Sequence, residues 1–142
     1  MSTFQVNILA ADRPFYQGEC EALKIPTVEG LYGILSYHRN MIAAIVPGTL
    51  YYKLPGQEEQ MAAVSEGMIK VEDNEVLVLV DSAERPEDID EIRAKRAADA
   101  AKEAILQKKS IQEYRSAQAH LARAINRLKV KNHYHDLGEG PK

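Results

Sequence analysis

Apolar and polar residues alternate from the start of the chain, with Phe4, Val6 and Ile8 set against Gln5 and Asn7, which is the period of a strand with one buried face. Arg13-Pro14 predicts a turn, and from Phe15 to Ile25 an extended pattern resumes in which Tyr16, Gly18, Cys20 and Ala22 share a face. Pro26 then ends that strand or places it at an edge, because proline has no N–H for a sheet ladder. Glu29-Gly30, Gly33, Pro47-Gly48, Pro55-Gly56, Glu66-Gly67 and Asp73-Asn74 follow at short intervals as turn signals. Between them Met41 to Val46, Thr49 to Leu54, Gln60 to Val64, Met68 to Glu72 and Glu75 to Val80 are the predicted strands. Many short strands at this spacing imply a β-sandwich or barrel.

From Asp88 onward the period lengthens to three and four residues. Asp88 with Glu91, and Ser110 with Glu113, have the spacing of two capping boxes, so the stretch to Lys131 predicts two helices. In the first, Ala94, Ala97, Ala98, Ala101, Ala104 and Ile105 form a stripe of small side chains; in the second, Ile111, Tyr114, Ala117, Leu121, Ile125 and Leu128 form a larger ridge. Ridge on stripe predicts an antiparallel hairpin. Its contact is modest, since burial contributes only about 25 cal/mol per Å² of apolar surface and alanine offers little. Helices of this length reach about 30 Å at 1.5 Å per residue, so opening the pair would carry its tip far. Between Ser82 and Glu87 the composition shifts from β-branched and turn residues to Ala, Lys, Arg and Glu. The expected organisation is therefore α+β in two domains: a sandwich over 1–84, a helical hairpin over 85–132, and a tail over 133–142 that loses periodicity, ends in Gly and Pro, and is expected to be mobile.

Composition narrows the function classes. The chain has 142 residues, 45% hydrophobic and 27% charged, as ordinary globular domains do. No apolar run is long enough for a bilayer, and Met-Ser-Thr-Phe-Gln lacks the regions of a signal peptide, so the chain is expected to stay where it is made. Cys20 is the single cysteine, which excludes an internal disulfide framework and a thiolate zinc cage within one chain and suggests a small buried residue. Charge is divided: residues 1–84 carry a net −7 and residues 85–142 a net +4, much of the latter as Arg115, Arg123, Arg127, Lys129 and Lys131 on the second helix. An acidic domain carries a basic arm, though a solvated face is the ordinary reading of such a run. His133 and His135 lack third and fourth ligands at metal-binding spacing, so no metal site is expected. His38 and His120 have no identifiable nucleophile beside them, Tyr51-Tyr52 reads as strand packing, and the acidic sandwich argues against nucleic acid.

Four stretches resemble one family, the epsilon subunit of F-type ATP synthases, over almost the whole chain. They are Glu29-Gly30-Leu31-Tyr32-Gly33-Ile34-Leu35 with His38; Glu66-Gly67-Met68-Ile69-Lys70-Val71; Ala83 to Ala94, containing Ile89-Asp90-Glu91-Ile92-Arg93-Ala94; and Arg123-Ala124-Ile125-Asn126-Arg127-Leu128. Ser36-Tyr37 departs from the Pro-Gly usual in the first, and Ala100 stands where some ATP-binding relatives have arginine. The resemblance implies a non-catalytic subunit of the central stalk, peripheral on the cytoplasmic side of the cell membrane. The sandwich would bind the gamma subunit and the c-ring. The helices would either fold back or extend along gamma toward the alpha and beta subunits to inhibit ATP hydrolysis. It also implies ATP as a regulatory ligand, with no required cofactor, held by Ile89, Asp90, Arg93, Ala94, Arg123 and Arg127. Arg115, Lys129 and Lys131 would meet an acidic loop of beta. Arg123 and Arg127 stand at i,i+4, where like charges repel on a bare helix, and their guanidinium forks suit phosphate; carboxylates of the neighbouring helix are the ordinary alternative. A free-standing nucleotide-sensing module and an enzyme are the competing classes.

Overall fold

Residues 2–107 and 111–136 are described by the computed structural model. Ten strands come first: β1 (Phe4–Ala10), β2 (Pro14–Cys20), β3 (Ala22–Thr27), β4 (Gly30–Leu35), β5 (Met41–Ile45), β6 (Gly48–Lys53), β7 (Glu59–Val64), β8 (Gly67–Glu72), β9 (Glu75–Val80) and β10 (Ala83–Glu84). They make two five-stranded sheets, in the orders β2-β1-β9-β8-β5 and β10-β7-β6-β3-β4. Pairing is antiparallel except between β1 and β9, which run parallel. The alternation read at the N-terminus holds: Phe4, Val6 and Ile8 are buried with Val76, Val78 and Val80 of β9, and Leu23, Ile25, Leu50 and Tyr52 close the same core from the second sheet. The result is an α+β chain whose first unit, up to Arg85, is a β-sandwich and whose second, from Pro86, is helical over most of its described residues.

Phe15 to Ile25 is not one strand but two, in different sheets. Cys20 and Leu23 are both buried, although residues three apart on a continuous strand face opposite sides. A corner at Glu21 makes up the missing step. The Glu21 N–H donates to the Lys53 carbonyl at 2.7 Å, the Lys53 ammonium donates to the Glu21 carboxylate, and the Cys20 thiol donates to the Ala22 and Lys53 carbonyls at 3.1 and 3.2 Å. Burial raises the thiol's pKa, so Cys20 behaves as the small buried residue expected of it. The Gly30 to Leu35 segment, read as punctuation, is also a strand, because Tyr32 and Ile34 alternate inward while Gly33 and the exposed Leu31 and Leu35 face out. Pro26 sits in β3 where pairing with β6, which extends only to Lys24, has ended.

The β8–β9 turn organises the end of the first sheet. Asp73 and Asn74 have φ of 50° and 62°, and two left-handed residues in succession give the turn whose twist matches a hairpin. Asn74 then ties three segments together. Its Oδ1 accepts the Tyr37 N–H at 2.6 Å, its Nδ2 donates to the Thr3 carbonyl at 3.0 Å, and its own carbonyl accepts the Gln5 N–H at 3.3 Å. Tyr37, in the place where the family signature usually has glycine, adopts φ 60°. Beside it the His38 Nδ1 donates to the Arg39 carbonyl at 2.8 Å, which leaves Nε2 to accept the Tyr32 hydroxyl at 2.9 Å.

In the second unit a 3-10 turn at Pro86–Asp88 leads into α1 (Glu91–Gln107), followed by α2 (Ile111–Asp136). Only three residues separate two helices that pack on each other, so they run antiparallel. Ala94, Ala98 and Ala101 are buried and Ile105 partly so, whereas Ala97 and Ala104 are exposed. The seam follows steps of four and three residues and is narrower than the predicted stripe. On α2, Ala117, Ala124, Val130 and Lys131 are buried with Tyr114, Leu121, Ile125 and Leu128 half-covered, so alanine lines much of both sides. Ser110 lies outside the described residues, as does the Ile111 side chain. Residues 133 to 136, expected in a mobile tail, continue α2, since Asn132 to Asp136 contains neither glycine nor proline and loss of an apolar period does not end a helix. No described helix is long and apolar enough to cross a membrane.

Two outcomes are expected of the sandwich. A left-handed backbone costs a residue with a side chain about 1 to 2 kcal/mol, and glycine's extra freedom in the unfolded chain returns up to about 1 kcal/mol of this. Tyr37 is 77% exposed and has little packing to lose, so Tyr37→Gly should raise stability in urea unfolding by about 0.5 to 1 kcal/mol. The hydrogen bond from Lys53 holds the Glu21 carboxyl below its ordinary pKa. A depressed folded pKa contributes stability that is present above the unfolded value and lost as pH falls through the folded one. Unfolding measured across an acid series should therefore show wild type more stable than Glu21→Gln at neutral pH and the two converging on acidification.

Candidate functional site

The second unit begins with a cap that differs from the predicted one. Asp90, not Asp88, caps α1: its Oδ1 accepts the Arg93 N–H at 3.1 Å and its carbonyl accepts the Ala94 N–H at 2.9 Å. Asp88 is taken up in the 3-10 turn, and the third helical position is Arg93 rather than Glu or Gln, so no reciprocal box forms. Of the six residues singled out, Ile89 and Ala94 are buried and act as packing. Asp90 commits one carboxylate oxygen to the helix end. Arg93 projects from the exposed side of the first turn, and Arg123 and Arg127 are half-buried on α2, neither free of partners.

One contact reports the register of the two helices. The Lys131 ammonium donates to the Pro86 carbonyl at 3.0 Å, and the same oxygen accepts the Ile89 N–H at 3.2 Å. Arg127 lies one turn, about 5.4 Å, back along α2 from Lys131, and Arg123 a further turn back. Antiparallel packing thus places the two sequence segments at the same end of the hairpin. Guanidinium forks at that level, with the N–H groups of a helix start, can receive a phosphate or carboxylate.

The three cations assigned to a partner divide. Arg115 and Lys129 are exposed, but Lys131 is buried and bonded within its own unit. Sequence reading took it as a surface charge. The signal was in the spacing, because the stripe through Ala117, Leu121, Ala124 and Leu128 reaches position 131 at its next step.

A β-sandwich followed by a helical pair defines the class, and comparison with known proteins supplies the family. The family model described as the ATP synthase delta/epsilon chain beta-sandwich domain matches residues 3–86, and that described as its long alpha-helix domain matches residues 87–132. This chain belongs to the ATP synthase delta/epsilon chain family. It is 40% identical over 136 residues to the ATP synthase epsilon chain of Caldanaerobacter subterraneus subsp. tengcongensis, covering 95% of this chain and 98% of that one. It is 38% identical over 128 residues to the epsilon chain of Nitrosospira multiformis, covering 90% and 92%. The fold is shared with a chain in the cryo-EM structure of the Euglena gracilis mitochondrial ATP synthase, with a TM-score of 0.75 and 21% identity over 89% of this chain and 79% of that one.

The cap assignment has a direct test. Losing an N-cap costs about 1 kcal/mol, so Asp90→Ala should lower the thermal stability of the helical unit, followed by far-ultraviolet circular dichroism, while Asp88→Ala should leave it close to wild type.

Proposed function

We propose that this chain is the epsilon subunit of the central stalk, with the sandwich binding the gamma subunit and the c-ring and the helices regulating ATP hydrolysis without catalysing it. Membership of the family supports the stalk role, and the register of the hairpin supports the regulatory one. The carrying observation is the Lys131 to Pro86 contact at 3.0 Å, from which Arg127 and Arg123 lie one and two helical turns back along α2. A nucleotide held by Arg93, Arg123 and Arg127, beside Ile89, Asp90 and Ala94, would be held only while the helices are packed. Asp90 would use its remaining carboxylate oxygen on the base or ribose, since it repels polyphosphate. Binding to one state stabilises it by linkage, so ATP would favour the folded-back, non-inhibitory hairpin. In the extended form the exposed Arg115 and Lys129 would approach an acidic loop of beta. The division of charge between an acidic sandwich and a basic arm favours the same arrangement.

Losing one charge-assisted contact to phosphate costs about 1.5 to 3 kcal/mol, or about one to two powers of ten in affinity. Arg93→Ala, Arg123→Ala and Arg127→Ala should each weaken ATP binding by that amount in titration calorimetry, with no ADP released. Equal affinity in wild type and Arg127→Ala would remove the nucleotide site. Deleting residues 88–142 from the reconstituted complex should relieve inhibition of hydrolysis while assembly persists; an unchanged hydrolysis rate would remove the regulatory role.

A further inference from the structure

Lys131 is 8% exposed, the one charged residue among the buried residues described. An ammonium carries three donors, yet among the described residues this one meets a single acceptor, the Pro86 carbonyl, and none of the described carboxylates forms an ion pair with it. The carbonyl does not depend on it, because the Ile89 N–H reaches the same oxygen. These two facts decide the sign of its contribution. Withdrawing an ammonium from water costs more than one carbonyl bond returns, and removing the charge while keeping the stem would leave no orphaned acceptor. Packed against the turn, Lys131 works against the hairpin that contains it.

We propose that Lys131 is a built-in opener of the hairpin. Buried and under-hydrated while α1 and α2 are packed, its ammonium returns to water when the end of α2 leaves the Pro86 turn, and this biases the helices toward separation. Once released, it stands one turn from Arg127 and adds its charge to that face of α2. The same charge is thus hidden in the folded-back state and displayed in the extended one. Its use on an acidic partner rests on the function proposed above; the bias toward opening does not.

Hydrogen exchange of the full chain tests the opener. Lys131→Met keeps an unbranched stem without the charge, and Lys131→Gln keeps a donor for Pro86 without the charge. Both should slow amide exchange in the first turns of α1 and the last turns of α2 by about tenfold or more, with sandwich amides unchanged. Lys102→Met, which removes an exposed charge from α1, should exchange like wild type. Exchange unchanged or faster in both Lys131 variants would overturn the proposal and make the contact a clasp. Failure of ATP binding or of inhibition would leave the exchange result standing, so the two readings fail separately.

Discussion

Two alanine-lined helix faces meet in the second unit, and the shallowness of that contact sets what the chain can do. Ala94, Ala98 and Ala101 on one side face a helix that buries Ala117 and Ala124. At about 0.8 kcal/mol for each buried methyl, the five contribute on the order of 4 kcal/mol, and the fully buried Val130 adds about 1.5 to 3 kcal/mol, with partial help from Tyr114, Leu121, Ile125 and Leu128. A ligand present at a hundred times its dissociation constant adds about 2.7 kcal/mol, a comparable amount. A leucine-filled seam would be deaf to such a ligand. On the function proposed above, small side chains would keep the hairpin within reach of a ligand, and the buried Lys131 ammonium would move the balance further toward opening.

The first unit is built in the opposite manner. Its core is filled by Phe4, Leu23, Ile25, Leu50 and a row of valines, and its irregular points are tied by side chains rather than left loose. The corner at Glu21 is held by Lys53, and the β8–β9 turn is held by Asn74 to two other segments. A densely tied domain and an alanine-seamed one suit the proposed division between a part that stays attached and an arm that changes state.

Much of this was legible in the sequence because periodicity survives without tertiary knowledge. The alternation of β1 and β9, the turn at Asp73-Asn74 and the two helices all followed from spacing. The corner between β2 and β3 was hidden, since Glu21 carries no turn signature and its bend depends on Lys53, thirty-two residues away. β4 was hidden by its glycines, which mark an exposed edge strand as readily as a loop. Asp88 and Asp90 both precede the helix and both are good caps; only the hydrogen bond to the Arg93 N–H separates them. Lys131 was misjudged because residue type was weighted over position.

The central claim is that the hairpin exists in two states and that ATP selects one. Spin labels introduced by Lys95→Cys and Ala122→Cys, both exposed positions on different helices, read it directly, with Cys20 buried and out of reach of the label. Two distance populations are predicted without nucleotide, and a single short one once ATP is added. A distribution that is the same with and without ATP would contradict it.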